Sequence, residues 1–294
     1  MQGVADFRDY VRVPRHLIQH TQVLWWLRPG PLVIACAVIA AWVVVKGYIH
    51  MANATQTTVQ GMLQAGMHFG HRPSKKHPKM DKYIFGVRQG INIIDLEQSK
   101  QQLDAVLPVI EEMAAAGKTI LFLGSKRQAA AIIREQAEKI GAPYVVERWL
   151  GGLFTNFPHV SNLMKKLTRL KSEKEQGIWQ ERYNKREQLE LEREIETLTK
   201  EVGGIETMLK LPDALFVVDC KKEKTAIKEA NRLKIPVIAV VDTNVNPDKV
   251  QYPIPANDDG VKSIQFVTEQ VAAAIERGKA RMVVAAAPVA APAK

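Results

Sequence analysis

Beyond residue 51 the hydrophobic positions alternate between two patterns. Short runs, apolar and largely β-branched, occur at Ile91–Ile94, Thr119–Leu123, Tyr144–Val146, Ala214–Val218 and Val237–Val241, each bounded by turn residues. Runs with no polar alternation predict parallel strands buried on both faces, since a half-solvated strand shows period two. Between them, helical spacing covers Ser99–Ala116 before Gly117, Arg127–Ile140 before Gly141, and Lys222–Leu233. A last helix is predicted after Asn257-Asp258-Asp259, whose carboxylates suit a helix N-terminus, ending near Gly278. This alternation predicts an α/β fold built on a doubly wound parallel sheet.

One segment breaks the rhythm. Residues 159–202 contain no strand and are dense in Lys, Arg and Glu; Leu163, Leu167 and Leu170 form one stripe, and Leu191, Ile195, Leu198 and Val202 a second. Gly177 lies between the stripes and Gly203-Gly204 follows them, which predicts an inserted antiparallel α-helical hairpin of coiled-coil character projecting from the sheet domain. The α/β domain then comprises residues 51–158 and 203–278, and the Ala/Pro-rich residues 279–294 are expected to be a disordered tail.

Residues 1–50 read differently. They hold Trp25, Trp26 and Trp42, three of the five tryptophans, and an uncharged run of 17 from Pro29 to Val45. That is the lower limit for crossing a hydrocarbon core of about 30 Å. A membrane anchor is one reading. The positive-inside rule, with Arg28 and upstream arginines cytoplasmic, would however export everything after Lys46. The favoured reading is a hydrophobic leader that is a non-native upstream extension, with Met51-Ala52-Asn53 as the natural start.

Charge narrows the function. The chain carries 41 Lys plus Arg against 31 Asp plus Glu, a net +10 over 294 residues. Residues 1–50 contribute +3 of it, leaving +7 on the body, and the excess points to a polyanionic partner. Two cysteines, Cys36 and Cys220, exclude a disulfide framework. Gly124-Ser125-Lys126-Arg127 follows a strand and opens a helix, a weak phosphate-contact signal, but neither a GxxxxGK[ST] loop nor a GxGxxG fingerprint occurs. Asp219 and Asp242 end strands without a neighbouring nucleophile or base in sequence, and no Ser-His-Asp or Cys-His set stands out. The chain does not read as an enzyme; a phosphosugar- or nucleotide-binding α/β enzyme is one rival, and a membrane-tethered RNA-binding protein another.

A nucleic-acid surface is better supported. Arg72, Lys75, Lys76, Lys79 and Lys82 lie within eleven residues, interleaved with Pro73 and Pro78 and flanked by His68, Phe69, Tyr83 and Phe85. Cations position phosphates, and aromatic and imidazole rings stack on unpaired bases. Lys126, Arg127, Arg148, Lys221, Lys222 and Lys224 all fall at or near predicted strand ends, where one basic rim collects them. His68, His71 and His77 also suggest a metal, although H-x-x-H without a frame is a weak signal.

The motifs MLQAGMHFGH (62–71), HPKM (77–80), YIFGVRQGINIIDLEQS (83–99), ILFLGSKRQA (120–129), ERWLGGLFTN (147–156), LPDALFVVD (211–219), EANRLKIPVIAVVDTN (229–244) and IPANDD (254–259) follow one another along the body. In that order they resemble the bacterial small-subunit ribosomal protein S2 family over about residues 51–277. The resemblance implies a flavodoxin-like domain with a helical hairpin, and a structural, cytoplasmic role on the ribosome without a required cofactor. The implied partners are 16S ribosomal RNA and other small-subunit proteins, including the large protein S1. It also implies a zinc pocket formed by His71, Asp242 and Asp258 or Asp259. His77, Lys224 and Ala256 depart from the family's usual residues, and the Lys224 change makes that strand end more basic.

Overall fold

The computed structural model describes residues 58–286, so the expectations for residues 1–50 and for 287–294 lie outside the described residues. A short helix, α1 (Val59–Gln64), is capped by Thr58, whose side chain accepts from Gly61 N. Two strands, β1 (Ile84–Arg88) and β2 (Ile91–Ile94), precede α2 (Leu96–Ala115), whose N-cap Asp95 accepts from Glu97 N and Gln98 N. Then come β3 (Ile120–Leu123), α3 (Arg127–Ile140) and β4 (Tyr144–Val145). Helices α4 (Phe157–Glu175), α5 (Ile178–Arg182) and α6 (Lys185–Val202) occupy the charged segment. β5 (Ala214–Val218), α7 (Lys224–Arg232), β6 (Val237–Val241), β7 (Tyr252–Pro255) and α8 (Val261–Ala286) complete the chain.

The main sheet has five parallel strands in the order β4-β3-β5-β6-β7. Counted within the sheet this is 2-1-3-4-5, a doubly wound order whose switch point lies between β3 and β5. Successive residues of each strand enter opposite layers, as the two-residue period requires. Leu121, Leu123, Leu215, Val217, Ala239 and Val241 pack with α4, α6 and α7, whereas Ile120, Phe122, Phe216, Val218, Ile238 and Val240 pack with α2, α3 and α8. Burial on both faces explains why these strands are apolar throughout.

Three elements differ from the sequence reading. Ile91–Ile94 is a strand but not part of the parallel sheet; it pairs antiparallel with β1 in a separate two-stranded hairpin. Gln89 and Gly90 form its two-residue turn with φ of 52° and 73°, the positive values that tight hairpins use. β7 carries Pro253 and Pro255, which disguise a strand in sequence but are tolerated at a sheet edge. Finally, α8 passes through Gly278 to Ala286, so part of the expected tail is helical. Gly278 marks a close approach rather than a helix end: a Cβ there would lie 2.4 Å from Glu111 O and 2.6 Å from Ala114 Cβ on α2.

In the charged segment α4 and α6 are linked by Lys174–Glu192 (2.8 Å) and Lys166–Glu194 ion pairs. Gly177, φ 72°, makes the turn into α5, and Asn184 with Glu187 forms a capping box on α6. Val160, Met164, Leu167 and Leu170 of α4 and Leu198 and Val202 of α6 are buried in the same core as one face of the sheet; Leu163, Leu191 and Ile195 pack partly buried against it. No described helix is long and apolar enough to cross a membrane.

Candidate nucleic-acid interface and metal cluster

Parallel strands deliver their following segments to a single edge. Gly124–Arg127, Arg148, Asp219–Lys224, Asp242–Asn244 and Asn257–Asp259 therefore share the C-terminal edge of the sheet. The basic loop is tied to the same edge through Thr243, whose Oγ1 accepts from His71 N at 2.9 Å and whose carbonyl accepts from His77 N at 2.8 Å. Gly70 permits this approach, because a Cβ there would lie 2.6 Å from Thr243 Cγ2. Asn92, fully buried on β2, donates from Nδ2 to His71 O at 2.8 Å and braces the loop from below.

Arg72, Lys75, Lys76, Lys79 and Lys82 are all exposed, on a loop shaped by 3-10 turns at Pro73–Lys75 and Pro78–Tyr83. Lys76 pairs with Asp81 at 2.7 Å, Lys79 with Asp248, and Lys82 lies 4.7 Å from the Tyr83 ring centroid. Phe69 is exposed, with the His68 ring tilted against it at 4.0 Å between centroids. His68 is itself half-buried, and burial lowers its pKa, which favours the neutral ring. Arg127, Arg148, Lys221, Lys222 and Lys224 are exposed at strand ends, as expected, and Lys222 also donates to Ser125 O at 2.6 Å.

Lys126 is placed differently from the other cations. Its side chain is only 15% exposed, and its Nζ lies 2.6 Å from Asp259 Oδ1, 2.9 Å from Asp258 Oδ1 and 3.6 Å from Asp219 Oδ2. Burial would lower its pKa, but the hydrogen bonds to Asp259 and Asp258 outweigh that and raise it. Its ammonium is engaged by these carboxylates, unlike the exposed cations around it.

The carboxylates around Lys126 bring together the acids named for the metal. His71 Nδ1 lies 3.0 Å from Asp242 Oδ2, and its Nε2 lies 3.5 Å from Asp259 Oδ2. One ligand atom from each of His71, Asp242, Asp258 and Asp259 lies within 4.8 Å of every other. The hydrogen bond to Asp242 raises the His71 pKa against the opposing effect of burial. Burial, reinforced by the Asp242 and Asp219 charges, pushes the Asp258 carboxyl up to about 7. One imidazole nitrogen and three carboxylate oxygens, crowded together, fit the donor chemistry of a divalent zinc ion.

Two buried carboxylates carry no motif of their own in the sequence. Glu223, 3% exposed, accepts from Ser125 N at 3.3 Å and from the Ser125 hydroxyl. The turn after β3, which in doubly wound proteins faces a ligand, therefore spends these donors on the protein itself. Glu229, on α7, accepts from Trp149 Nε1 (3.1 Å), Gly152 N (2.8 Å), Phe154 N (3.0 Å), Thr155 N (3.2 Å) and Thr155 Oγ1 (3.3 Å). It fixes the WLGGLFT loop. The signal for it is the loop itself, whose glycine-rich backbone donors require an acceptor from elsewhere.

Comparison with known proteins gives one consistent answer. The family model described as Ribosomal protein S2 matches residues 62–278. A protein named Small ribosomal subunit protein uS2 from Coprothermobacter proteolyticus is 47% identical over 222 residues, covering 76% of this chain and 82% of the relative. Its namesake from Campylobacter concisus is 47% identical, with 76% and 84% covered, and that from Wolinella succinogenes 46% identical, with 76% and 82% covered. The motif order, the doubly wound parallel sheet and these matches agree: the chain belongs to the ribosomal protein S2 family, whose matched relatives are named as ribosomal proteins rather than enzymes.

Proposed function

We propose that this chain, as a structural constituent of the small ribosomal subunit, binds 16S ribosomal RNA through the cation-rich C-terminal edge of its sheet. The observation that carries the reading is the gathering of Arg72, Lys75, Arg127, Arg148, Lys221 and Lys224, all exposed, onto that edge and the loop tied to it. Such cations fix register on phosphates, and Phe69 beside them offers a ring for an unstacked base. The same reading includes help in docking protein S1. The β1–β2 hairpin supports it with Phe85 at 82% and Val87 at 59% exposure, an apolar surface suited to a protein contact. His71, Asp242, Asp258 and Asp259 are proposed to hold zinc, which when bound would cross-link the basic loop, the end of β6 and the segment before α8. Sedimentation of a tagged chain from lysate tests the central reading. Co-migration with the 30S peak at moderate salt is expected, and its absence there overturns the reading.

A further inference from the structure

Lys126 and a metal ion compete for the same carboxylates. The ammonium already contacts Asp258 Oδ1 and Asp259 Oδ1, and both acids belong to the cluster that would ligate the ion. A second cation brought into contact with those acids meets the first at close range, where like charges in a partly buried site repel strongly. We propose that Lys126 is a tethered stand-in cation. It neutralises the cluster while no metal is bound and is displaced when a divalent ion enters, so that binding is an exchange rather than the filling of a ready site. This rests on the zinc reading given above.

The local geometry supports an exchange. Lysine places a compact, well-hydrated charge on a flexible four-carbon stem, so it can leave without moving the backbone. Asp219 supplies a second place for it to go. That residue adopts φ 69°, unusual without glycine, and its Oδ1 accepts from Lys221 N and Lys222 N at 3.0 Å each, while its Oδ2 lies 3.6 Å from Lys126 Nζ. Asp219 is not one of the four clustered metal-ligand candidates. It can therefore retain the displaced ammonium near the edge without giving up a ligand.

The experiment uses the full chain, stripped with a chelator and titrated with zinc against a chromophoric competitor. The proteins are the wild type, Lys126→Met and Asp242→Asn. An ion that binds only when Lys126 is out has its apparent affinity reduced by the fraction of time the cluster is open. Lys126→Met is thus expected to bind zinc about tenfold tighter or more. Its metal-free melting temperature should fall and be restored by zinc. A second measurement needs no variant: the acylation rate of Lys126 in the wild type, followed by mass spectrometry, should rise when zinc saturates the site. If the wild type binds zinc and Asp242→Asn does not, yet Lys126→Met binds no tighter and Lys126 acylates no faster, the exchange is overturned and the metal site stands. If neither the wild type nor Lys126→Met binds zinc, the zinc reading fails and the exchange fails with it.

Discussion

Glu229 concentrates more hydrogen bonding on one side chain than any feature of its sequence context announces. Burial raises the pKa of its carboxyl, but donation from Gly152 N, the Trp149 indole, Thr155 N and Phe154 N outweighs burial and holds it below the ordinary value of 4.5. A folded pKa below the unfolded one gives stability that is complete above about pH 4.5 and is lost as the pH falls through the lowered folded value. Glu229→Gln turns an amide donor toward donors, so a loss of about 2–4 kcal/mol is expected at neutral pH. Urea denaturation at pH 7 and below pH 4 checks this: the gap between wild type and variant should shrink in acid. At this scale sequence reasoning is weakest. His71 and Asp242 stand 171 positions apart, and only the family resemblance joins them. Lys126 declares its charge but not its direction, because direction depends on acids delivered by β5 and by the segment after β7.

Elements are far more legible, for a physical reason. A strand covered on both faces must be apolar at every position, so β3, β5 and β6 announce themselves, and the glycines after α2 and α3 mark their ends with φ of 70° and 61°. Misreadings arise where the same residue type serves two purposes. Proline in β7 signals a turn until the strand is known to be an edge. Glycine at 278 signals a helix end until α2 is known to press against it. Alanine in place of a helical glycine ordinarily stabilises by up to about 1 kcal/mol. Here the added methyl meets Glu111 O and Ala114 Cβ, so Gly278→Ala is expected to destabilise by about 1–3 kcal/mol instead. A lowered thermal midpoint reads this out; an unchanged or raised one means that α2 and α8 can separate without cost.

For the molecule as a whole, net charge predicts the class of partner but not the strength of its binding. Of the basic-loop lysines, Lys76 and Lys79 already have carboxylate partners in Asp81 and Asp248. Neutralising Lys75, Lys76 and Lys79 should weaken RNA binding and flatten its dependence on salt, by about 0.7–0.9 in log–log slope for each phosphate no longer neutralised. Lys75 is expected to carry the largest share, and filter binding across a salt series measures it. An unchanged slope would remove this loop from the interface. The sheet's strand order lies beyond any local pattern, since nothing in a run such as ALFVV says which run lies beside it.

The two ends of that sheet have a consequence for the protein before it joins the ribosome. β4 is two residues long, and β7 reads Tyr-Pro-Ile-Pro, with two residues that have no N–H to offer. A parallel sheet with long bare margins invites a second copy to add on strand by strand. Here one margin is too short to template pairing, and the other has proline at both positions whose N–H would face outward. The described sheet therefore offers a second copy little to pair with at either margin.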